Sequence, residues 1–259
     1  GIKNNNYEKD LNNIVDALEK KIEKYTNNQD NISQIRTKFV ANASHELKTP
    51  IFSIKGFVET LLDGALNDPK VNTDFLKKIY NQTERLENIL TDLIDISKIE
   101  SGDLKLNKNY LPINDILNFI DNSYKHLAKK KGLKLEIPDT KNLKVYVDKE
   151  HIETVFSNII KNAINYSDTG KIVISVKEIN NSINIKVSDN GIGMKDEVID
   201  KIFQRFFRVD DDRSRKTGGS GLGLAIVKHI LDAHQIKYNI KSEHNVGTTF
   251  SISIKEYKS

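Results

Sequence analysis

The chain contains no cysteine among its 259 residues. This absence excludes disulfide bonds, thiol catalysis and cysteine-ligated zinc, and it fits a reducing compartment. No apolar run approaches the length of a membrane span, and no signal peptide is visible. Neither sign of charge dominates, because 40 basic and 36 acidic residues leave a net charge of +4, too little to indicate nucleic acid as a partner. What remains is typical of a folded protein long enough for two modest domains.

The N-terminal segment predicts a coiled coil. Apolar residues recur at spacings of three and four from Leu11 to Phe39, with polar interruptions at Gln29 and Arg36. An amphipathic helix packed on its own domain would show the same spacing, but little else apolar lies nearby to form a core. We therefore predict a coiled-coil helix over residues 1–36, along which a signal could pass.

Residues 37–102 predict an all-α helical hairpin. The first helix continues to about Leu62 with an expected bend at Pro50, and the second ends at Ser101 and Gly102. A single hairpin cannot enclose its apolar stripe, so we expect two copies to dimerise into a four-helix bundle. In the first helix His45 precedes the carboxylate of Glu46. Such a pair could supply a nucleophilic imidazole, although, taken alone, it is more typical of a solvated helix face.

Residues 103–259 predict an α+β domain, because strand and helix periodicities follow one another there. The predicted elements are a strand at Leu104–Leu106, a helix at Ile113–Lys130, strands at Leu133–Ile137 and Leu143–Val147, a helix at 149–166, strands at Ile172–Val176 and Ile183–Val187 joined at Asn180 and Asn181, a helix at Leu222–Ala233, and a strand pair ending at Phe250–Ile254.

Three polar segments of this domain are candidates for a site. Asn158, Asn162 and Asn165 form a stripe on the 149–166 helix, and amide oxygens suit magnesium, although a solvated face in an asparagine-rich chain would look the same. Asp189 begins a glycine-containing turn after a strand and could accept a hydrogen bond from an adenine amino group. Gly218–Leu224 is a glycine-rich run at a helix start, where backbone N–H groups can face an anion. The hydrophilic residues 210–217 before it predict a mobile loop.

In this order the segments resemble the motifs of the sensor histidine kinases. The resemblance covers the chain from about Phe39 onward, through an H-box at His45, an N-box at Asn158–Tyr166, an Asp-containing glycine box at Asp189–Gly193, an F-box at Phe203–Phe207 and a glycine-rich box at Gly218–Gly223. It implies a dimerising phosphotransfer hairpin followed by a Bergerat-type ATP-binding α+β sandwich.

For the hairpin, the resemblance implies ATP-dependent phosphorylation of His45, with Glu46 orienting the imidazole or taking its proton. The phosphate would then pass to an aspartate of a response-regulator receiver domain. Thr49 would position water to remove that phosphate from the regulator. Two alternatives remain: the protein acts mainly as a phosphatase of the phosphorylated regulator, or it is a non-catalytic dimeric scaffold that binds ATP.

For the second domain, the resemblance implies ATP and Mg²⁺ as cofactors, with the metal held by Asn158 and Asn162. Asp189 would bind adenine in a pocket shaped by Gly191 and Gly193, and Arg205 or Arg208 would meet the γ-phosphate. The remaining implied contacts are Lys161, Tyr166, Gly219, Gly221, Leu222 and Gly223.

The chain departs from the family pattern at two positions. Asn165 stands where many members have lysine, and Asn245 replaces the first glycine of a Gly-x-Gly-Thr motif, where asparagine can still adopt the left-handed turn. The resemblance also implies a homodimer, forming the cytoplasmic portion of a bacterial sensor whose sensor and membrane segments precede residue 1.

Overall fold

A computed structural model describes Gln34 and residues 37–100, 105–140, 143–209 and 219–255. The predicted coiled coil over residues 1–36, apart from Gln34, and the predicted loop at 210–217 lie outside the described residues. The chain divides into two compact units, Gly1–Ile79 and Tyr80–Ser259, at a point within a helix. The domain boundaries expected near residues 36 and 102 stay predictions.

The first unit contains the turn of the predicted helical hairpin. Helix α1 covers residues 37–62, and Gly64, at φ 123°, ends it in a conformation that favours glycine. A 3₁₀ turn at Ala65–Asn67 leads to helix α2, Asn72–Glu100, whose first residues belong to this unit. The rings of Phe57 and Phe75 pack with their centroids 5.9 Å apart and join the two helices. The helical prediction is therefore confirmed, while the bend at Pro50 stays a prediction.

The second unit contains the rest of α2 and an α+β domain. Its further elements are β1 Lys108–Pro112, α3 Ile113–Lys130, β2 Lys134–Glu136, β3 Lys144–Asp148, α4 Lys149–Tyr166, β4 Lys171–Ile179, β5 Ser182–Asp189, α5 Asp196–Ile199, α6 Gly223–Ala233, β6 Lys237–Glu243 and β7 Gly247–Lys255. Strands β1 and β3 form an antiparallel pair. The other five form a sheet in the order β2-β4-β5-β7-β6, with only β2 and β4 parallel.

Helix α4 lies at the centre of the core, where it contacts α3, α6 and the central strand β5. The predicted apolar stripe of α4 is buried, and so are the alternate residues Ile183, Ile185 and Val187 of β5. The apolar face of the helix, with its period of 3.6 residues, therefore packs against the apolar face of the strand, with its period of two. The asparagines of α4 lie on the opposite face of the helix.

One predicted strand is misplaced. Residues 105–107 are not part of a strand, and β1 instead begins at Lys108, opposite Asp148 of β3. The physical reason lies at Asn107, whose backbone N–H donates to Asp148 Oδ2 at 2.7 Å and so is held by a side chain rather than by a strand ladder. The single-turn helix α5 was also not predicted.

Asp148 and His234 form a buried polar junction between β3, α4 and α6. Asp148 caps α4 by accepting the His151 backbone N–H at 3.1 Å. The backbone N–H of Asp148 donates to His234 Nε2 at 3.1 Å, while His234 Nδ1 lies 2.8 Å from the Ile230 carbonyl oxygen. The Nε2 atom must therefore be unprotonated and Nδ1 must carry the hydrogen. Folding requires the neutral imidazole.

This junction predicts a loss of stability in mild acid. Burial lowers the pKa of His234 below its ordinary value of 6.5, and the charges of Lys108 and His151 lower it further. The hydrogen bond with the Ile230 carbonyl oxygen and, to a smaller extent, the Asp148 carboxylate act to raise this pKa. Because the unfolded chain binds the proton more readily, the contribution of His234 to the free energy of unfolding is complete above pH 6.5 and is lost as the pH falls towards the lower folded-state pKa.

His234→Gln is expected to flatten the pH dependence of urea unfolding in this range, and to lower the free energy of unfolding by about 1–2 kcal/mol at neutral pH. His244→Gln, at an exposed turn residue, is the matched control. An unchanged profile in His234→Gln would contradict the prediction.

Candidate functional site

The second unit contains a cavity of about 290 Å³ beside α4. Its walls come from the asparagine stripe of α4, the end of β5, the residues before α6 and one side of α2. Apolar side chains such as Ile202, Leu224 and Phe250 line it together with a few polar groups. This combination is typical of small-molecule sites.

The asparagines of α4 face the start of α6. Asn158 Nδ2 donates to the Thr154 carbonyl at 3.0 Å, so the amide oxygen is the end that remains for a ligand. That oxygen lies so close to Gly223 that a Cβ there would overlap it. Asn162, one turn later on the same face, also lines the cavity. The absence of a side chain at Gly223 is what allows α4 and α6 to approach each other here.

Asp189 is the last residue of β5, and the backbone holds its carboxylate in place. Its Oδ1 accepts the N–H groups of Gly191 at 2.8 Å and Thr248 at 3.2 Å. Burial raises the pKa of this carboxyl, and the two N–H groups act in the opposite direction. Within the described residues Oδ2 accepts no hydrogen bond, so it is available to a donor in the cavity.

Two tight turns close around this carboxylate. Gly193 has φ +57°, and a Cβ there would overlap the backbone carbonyl of Glu243. The facing turn contains Asn245, at φ 63°, whose N–H donates to the Ile192 carbonyl at 2.6 Å. The expectation that asparagine preserves this left-handed turn is confirmed. Gly247, at φ 140°, meets the Asp189 carbonyl in the same close manner.

The glycine-rich segment packs against the residues that follow α5. Arg208 Nη2 donates to the Gly219 carbonyl at 2.6 Å, and the Phe206 N–H donates to the Gly221 carbonyl at 2.8 Å. Helix α6 then begins without a side-chain cap and without an acidic residue in its first turn. Its N-terminal N–H groups and the positive end of the helix dipole thus suit an anion.

Most of the predicted ligand residues converge on this cavity. Ten line it: Asn158, Lys161, Asn162, Tyr166, Asp189, Gly193, Arg208, Gly219, Gly221 and Gly223. Three do not: Gly191 is buried against the end of α4, Leu222 is in the core, and Arg205 lies outside the lining. Of the two arginine candidates the geometry therefore favours Arg208. The individual roles of these residues stay predictions.

The three predicted catalytic residues lie in the first unit, on α1. The His45 side chain is exposed and Glu46 is half-buried. Thr49 Oγ1 donates to the His45 carbonyl oxygen at 3.2 Å, which is the usual i to i−4 bond of a helical threonine. An exposed imidazole on a regular helix is accessible to a second reactant.

Several lining residues were not predicted from the sequence. Ser220 and Thr248 lie inside motifs that were recognised, and their hydroxyl and backbone groups could have been considered. Asn88 and Asp92 belong to α2, where the helical pattern tells which residues share a face but not what that face meets. Ser167 Oγ is buried beside Gly191 without a hydrogen-bond partner among the described residues, but Ser167 is not among the residues that line the cavity.

Two family models match the chain. Residues 147–258 match the "Histidine kinase-, DNA gyrase B-, and HSP90-like ATPase" model, which defines the class of the second unit's α+β domain. Residues 35–102 match the "His Kinase A (phospho-acceptor) domain". The chain belongs to the sensor histidine kinases.

Individual relatives agree with this assignment. The chain is 37% identical over 229 residues to sensor protein kinase WalK of Staphylococcus aureus and to that of Staphylococcus saprophyticus, and each alignment covers 87% of this chain. It spans 55% of the first relative and 37% of the second, so about half or less of their length.

Solved structures show the same fold. The Acinetobacter baumannii histidine kinase AdeS matches with a TM-score of 0.65 and 28% identity, over 82% of this chain and 97% of that one. Histidine kinase ThkA in complex with response regulator protein TrrA matches with a TM-score of 0.65 and 24% identity, over 84% and 60%. None of the helices in the described residues is both long and apolar enough to cross a bilayer.

Proposed function

We propose that this chain transfers the γ-phosphoryl group of ATP to His45, and from there to an aspartate on the receiver domain of a response regulator. The observation that carries the proposal is that one polypeptide contains both an exposed acceptor histidine and a cavity suited to a nucleotide. An exposed histidine lies within a phospho-acceptor domain match, and a cavity lined by Asn158, Asn162 and Asp189 lies within an ATPase match.

The cavity suits an adenine nucleotide. Asp189 Oδ2 offers an acceptor to the adenine amino group, and the other carboxylate oxygen is already held by two backbone N–H groups. Lys161 and the uncapped start of α6 supply positive charge for the phosphates. The site therefore offers an acceptor for the base and positive charge for the phosphates.

The same cavity offers amide ligands for Mg²⁺. No cluster of three His, Asp or Glu side chains suited to a metal occurs in the described residues, so the protein ligands would be the amide oxygens of Asn158 and Asn162. Few protein ligands are the rule for Mg²⁺, which keeps several waters and bridges to phosphates. When bound, the ion would neutralise charge on the transferred phosphoryl group.

At His45 the reaction needs a neutral imidazole. The Nε2 lone pair forms the N–P bond while the bond from the γ-phosphorus to the bridging oxygen breaks, and ADP leaves with that electron pair. The imidazole then carries one positive charge until its Nδ1 proton leaves. Glu46, the neighbouring carboxylate, is our candidate for orienting the ring or accepting that proton.

A homodimer would cover the apolar surface of the hairpin. Several large apolar side chains of the first unit are exposed in the single chain: Val40, Ile51, Phe52, Leu62, Leu66 and Leu76. Two copies could bury these faces in a four-helix bundle.

We further propose that the chain is the cytoplasmic part of a membrane-anchored sensor. This proposal is compatible with the comparison, because the chain covers only 55% of the length of its WalK relative.

Labelling with γ-phosphate-labelled ATP and Mg²⁺ tests the proposal. The wild-type chain is expected to acquire phosphate that is labile in acid and stable in base, and His45→Ala is expected to lose it to background, at least about a hundredfold, because the nucleophile is gone. His126→Ala, at an exposed position on α3, is the matched control and should label normally. ATP binding should survive in both variants. Undiminished labelling of His45→Ala, or none in the wild type, would refute the proposed function.

A further inference from the structure

Helix α2 reaches the glycine-rich segment through one short hydrogen bond. Ser220 Oγ donates to Asp92 Oδ2 at 2.5 Å, and the same hydroxyl accepts the backbone N–H of Leu222 at 3.1 Å. Ser220 is only 8% exposed. Leu222 is the N-cap residue of α6, so the hydroxyl links the Asp92 carboxylate to the start of that helix.

The Asp92 carboxylate occupies the electrostatic position of an anion ligand. It lines the cavity together with Lys161 and the glycines, and through Ser220 its negative charge is held beside the uncapped start of α6. Burial raises the pKa of this carboxyl, while the Ser220 hydroxyl, followed by the Lys161 ammonium, acts to lower it and the neighbouring Asp95 acts to raise it. The groups that stabilise Asp92 are the ones to which phosphates would also be attracted.

From this geometry we infer that the Asp92–Ser220 hydrogen bond is an autoinhibitory latch, which holds the glycine-rich segment against α2 until the phosphates of a nucleotide displace it. The inference rests on the proposed function, since it takes ATP as the ligand of this cavity. A carboxylate and a polyphosphate repel each other and compete for Lys161 and Ser220. Coupling of this kind is reciprocal, so whatever breaks the latch also favours the nucleotide.

Paired titrations test the latch in the full chain. Asp92→Ala is expected to bind the nonhydrolysable analogue AMPPNP with Mg²⁺ about tenfold more tightly than the wild type, because the competing anion is removed. Adenosine, which has no phosphates, should bind both proteins equally. Asp95→Ala removes a carboxylate from the next turn of α2 without touching Ser220, and we expect it to change AMPPNP affinity by less than about twofold.

A double-mutant cycle examines whether Asp92 acts through Ser220. In a Ser220→Ala background the further change Asp92→Ala is expected to lose the part of its effect on AMPPNP affinity that passes through Ser220 and to keep the part that comes from its charge near Lys161. An undiminished effect in that background would overturn the latch. Asp92→Asn, which keeps the shape and an acceptor oxygen, is expected to show an intermediate gain and serves if the alanine variant folds poorly. Weaker AMPPNP binding in the Asp92 variants would show that Asp92 is a ligand, and unchanged binding would show that it does not compete; either result overturns the latch.

Hydrogen exchange separates failure of the latch from failure of the proposed function. In the nucleotide-free chain, amides of residues 85–99 and 219–226 are expected to exchange faster in Asp92→Ala than in the wild type or in Asp95→Ala. If the wild type binds no nucleotide, the proposed function fails. Hydrogen exchange alone then decides whether the Asp92–Ser220 hydrogen bond holds the glycine-rich segment against α2. Equal exchange in all three proteins overturns it.

Discussion

Asp189→Asn is expected to weaken ATP binding by about 30- to 100-fold while leaving the fold intact. The amide can keep its oxygen towards the N–H groups of Gly191 and Thr248, which hold Oδ1 in the wild type. Its NH₂ group then faces the cavity in place of Oδ2. A donor would thus meet the adenine amino donor, and the hydrogen bond would be replaced by repulsion. Calorimetric titration with ATP measures the loss.

Inosine triphosphate provides the internal control for this variant, because it has an acceptor oxygen where adenine has an amino group. The wild type should prefer ATP strongly, and Asp189→Asn should lose or reverse this preference. Equal weakening for both nucleotides, or a large fall in melting temperature, would indicate a structural role for Asp189 instead.

Gly193→Ala is expected to abolish nucleotide binding and to destabilise the second unit by about 4 kcal/mol or more. Two costs combine at this position. The backbone φ of +57° is unfavourable for alanine, and its Cβ would overlap the carbonyl of Glu243, which belongs to the end of β6 and cannot move as a side chain could. The turn must open, and Asp189 would then lose its alignment with the facing strand.

Gly132→Ala separates these two costs. Gly132 follows α3 at φ +78°, but a Cβ there meets nothing within 4 Å. Only the conformational cost of about 1 kcal/mol remains, and nucleotide binding should be normal. Urea unfolding and AMPPNP titration of the two variants, side by side, measure the difference. Similar losses in both would mean that φ strain alone accounts for the effect of Gly193→Ala.

The elements with strong internal periodicity were predictable from the sequence. Helices α3 and α4 have the bounds that their apolar spacing indicated, and the β4–β5 turn falls at Asn180 and Asn181, both with positive φ. Strand β1 was not, because its position is fixed by pairing with β3 and by the Asp148 side chain. Two alternating leucines are too short a pattern to compete with such tertiary contacts.

The cavity was predictable as a set of motifs but not as a set of contacts. The order of the asparagine stripe, Asp189 and the glycine-rich box identified the site, and ten of its expected members converge. The choice between Arg205 and Arg208 depends on the fold after α5, which no local pattern encodes. Asp92 was hidden for a related reason, since the spacing along α2 indicates an exposed or buried face but never the partner of that face.

The strand order has a consequence for how the chain folds. Strands β4 and β5 form a hairpin through a two-residue turn, and β6 and β7 form another through a short one, so each pair can assemble locally. Joining them through β5 and β7 must close a loop that contains α5, the glycine-rich segment and α6. Closing long loops is slow. We therefore expect the two halves of the sheet to form early and to associate late, so that the pocket takes shape only at the rate-limiting step.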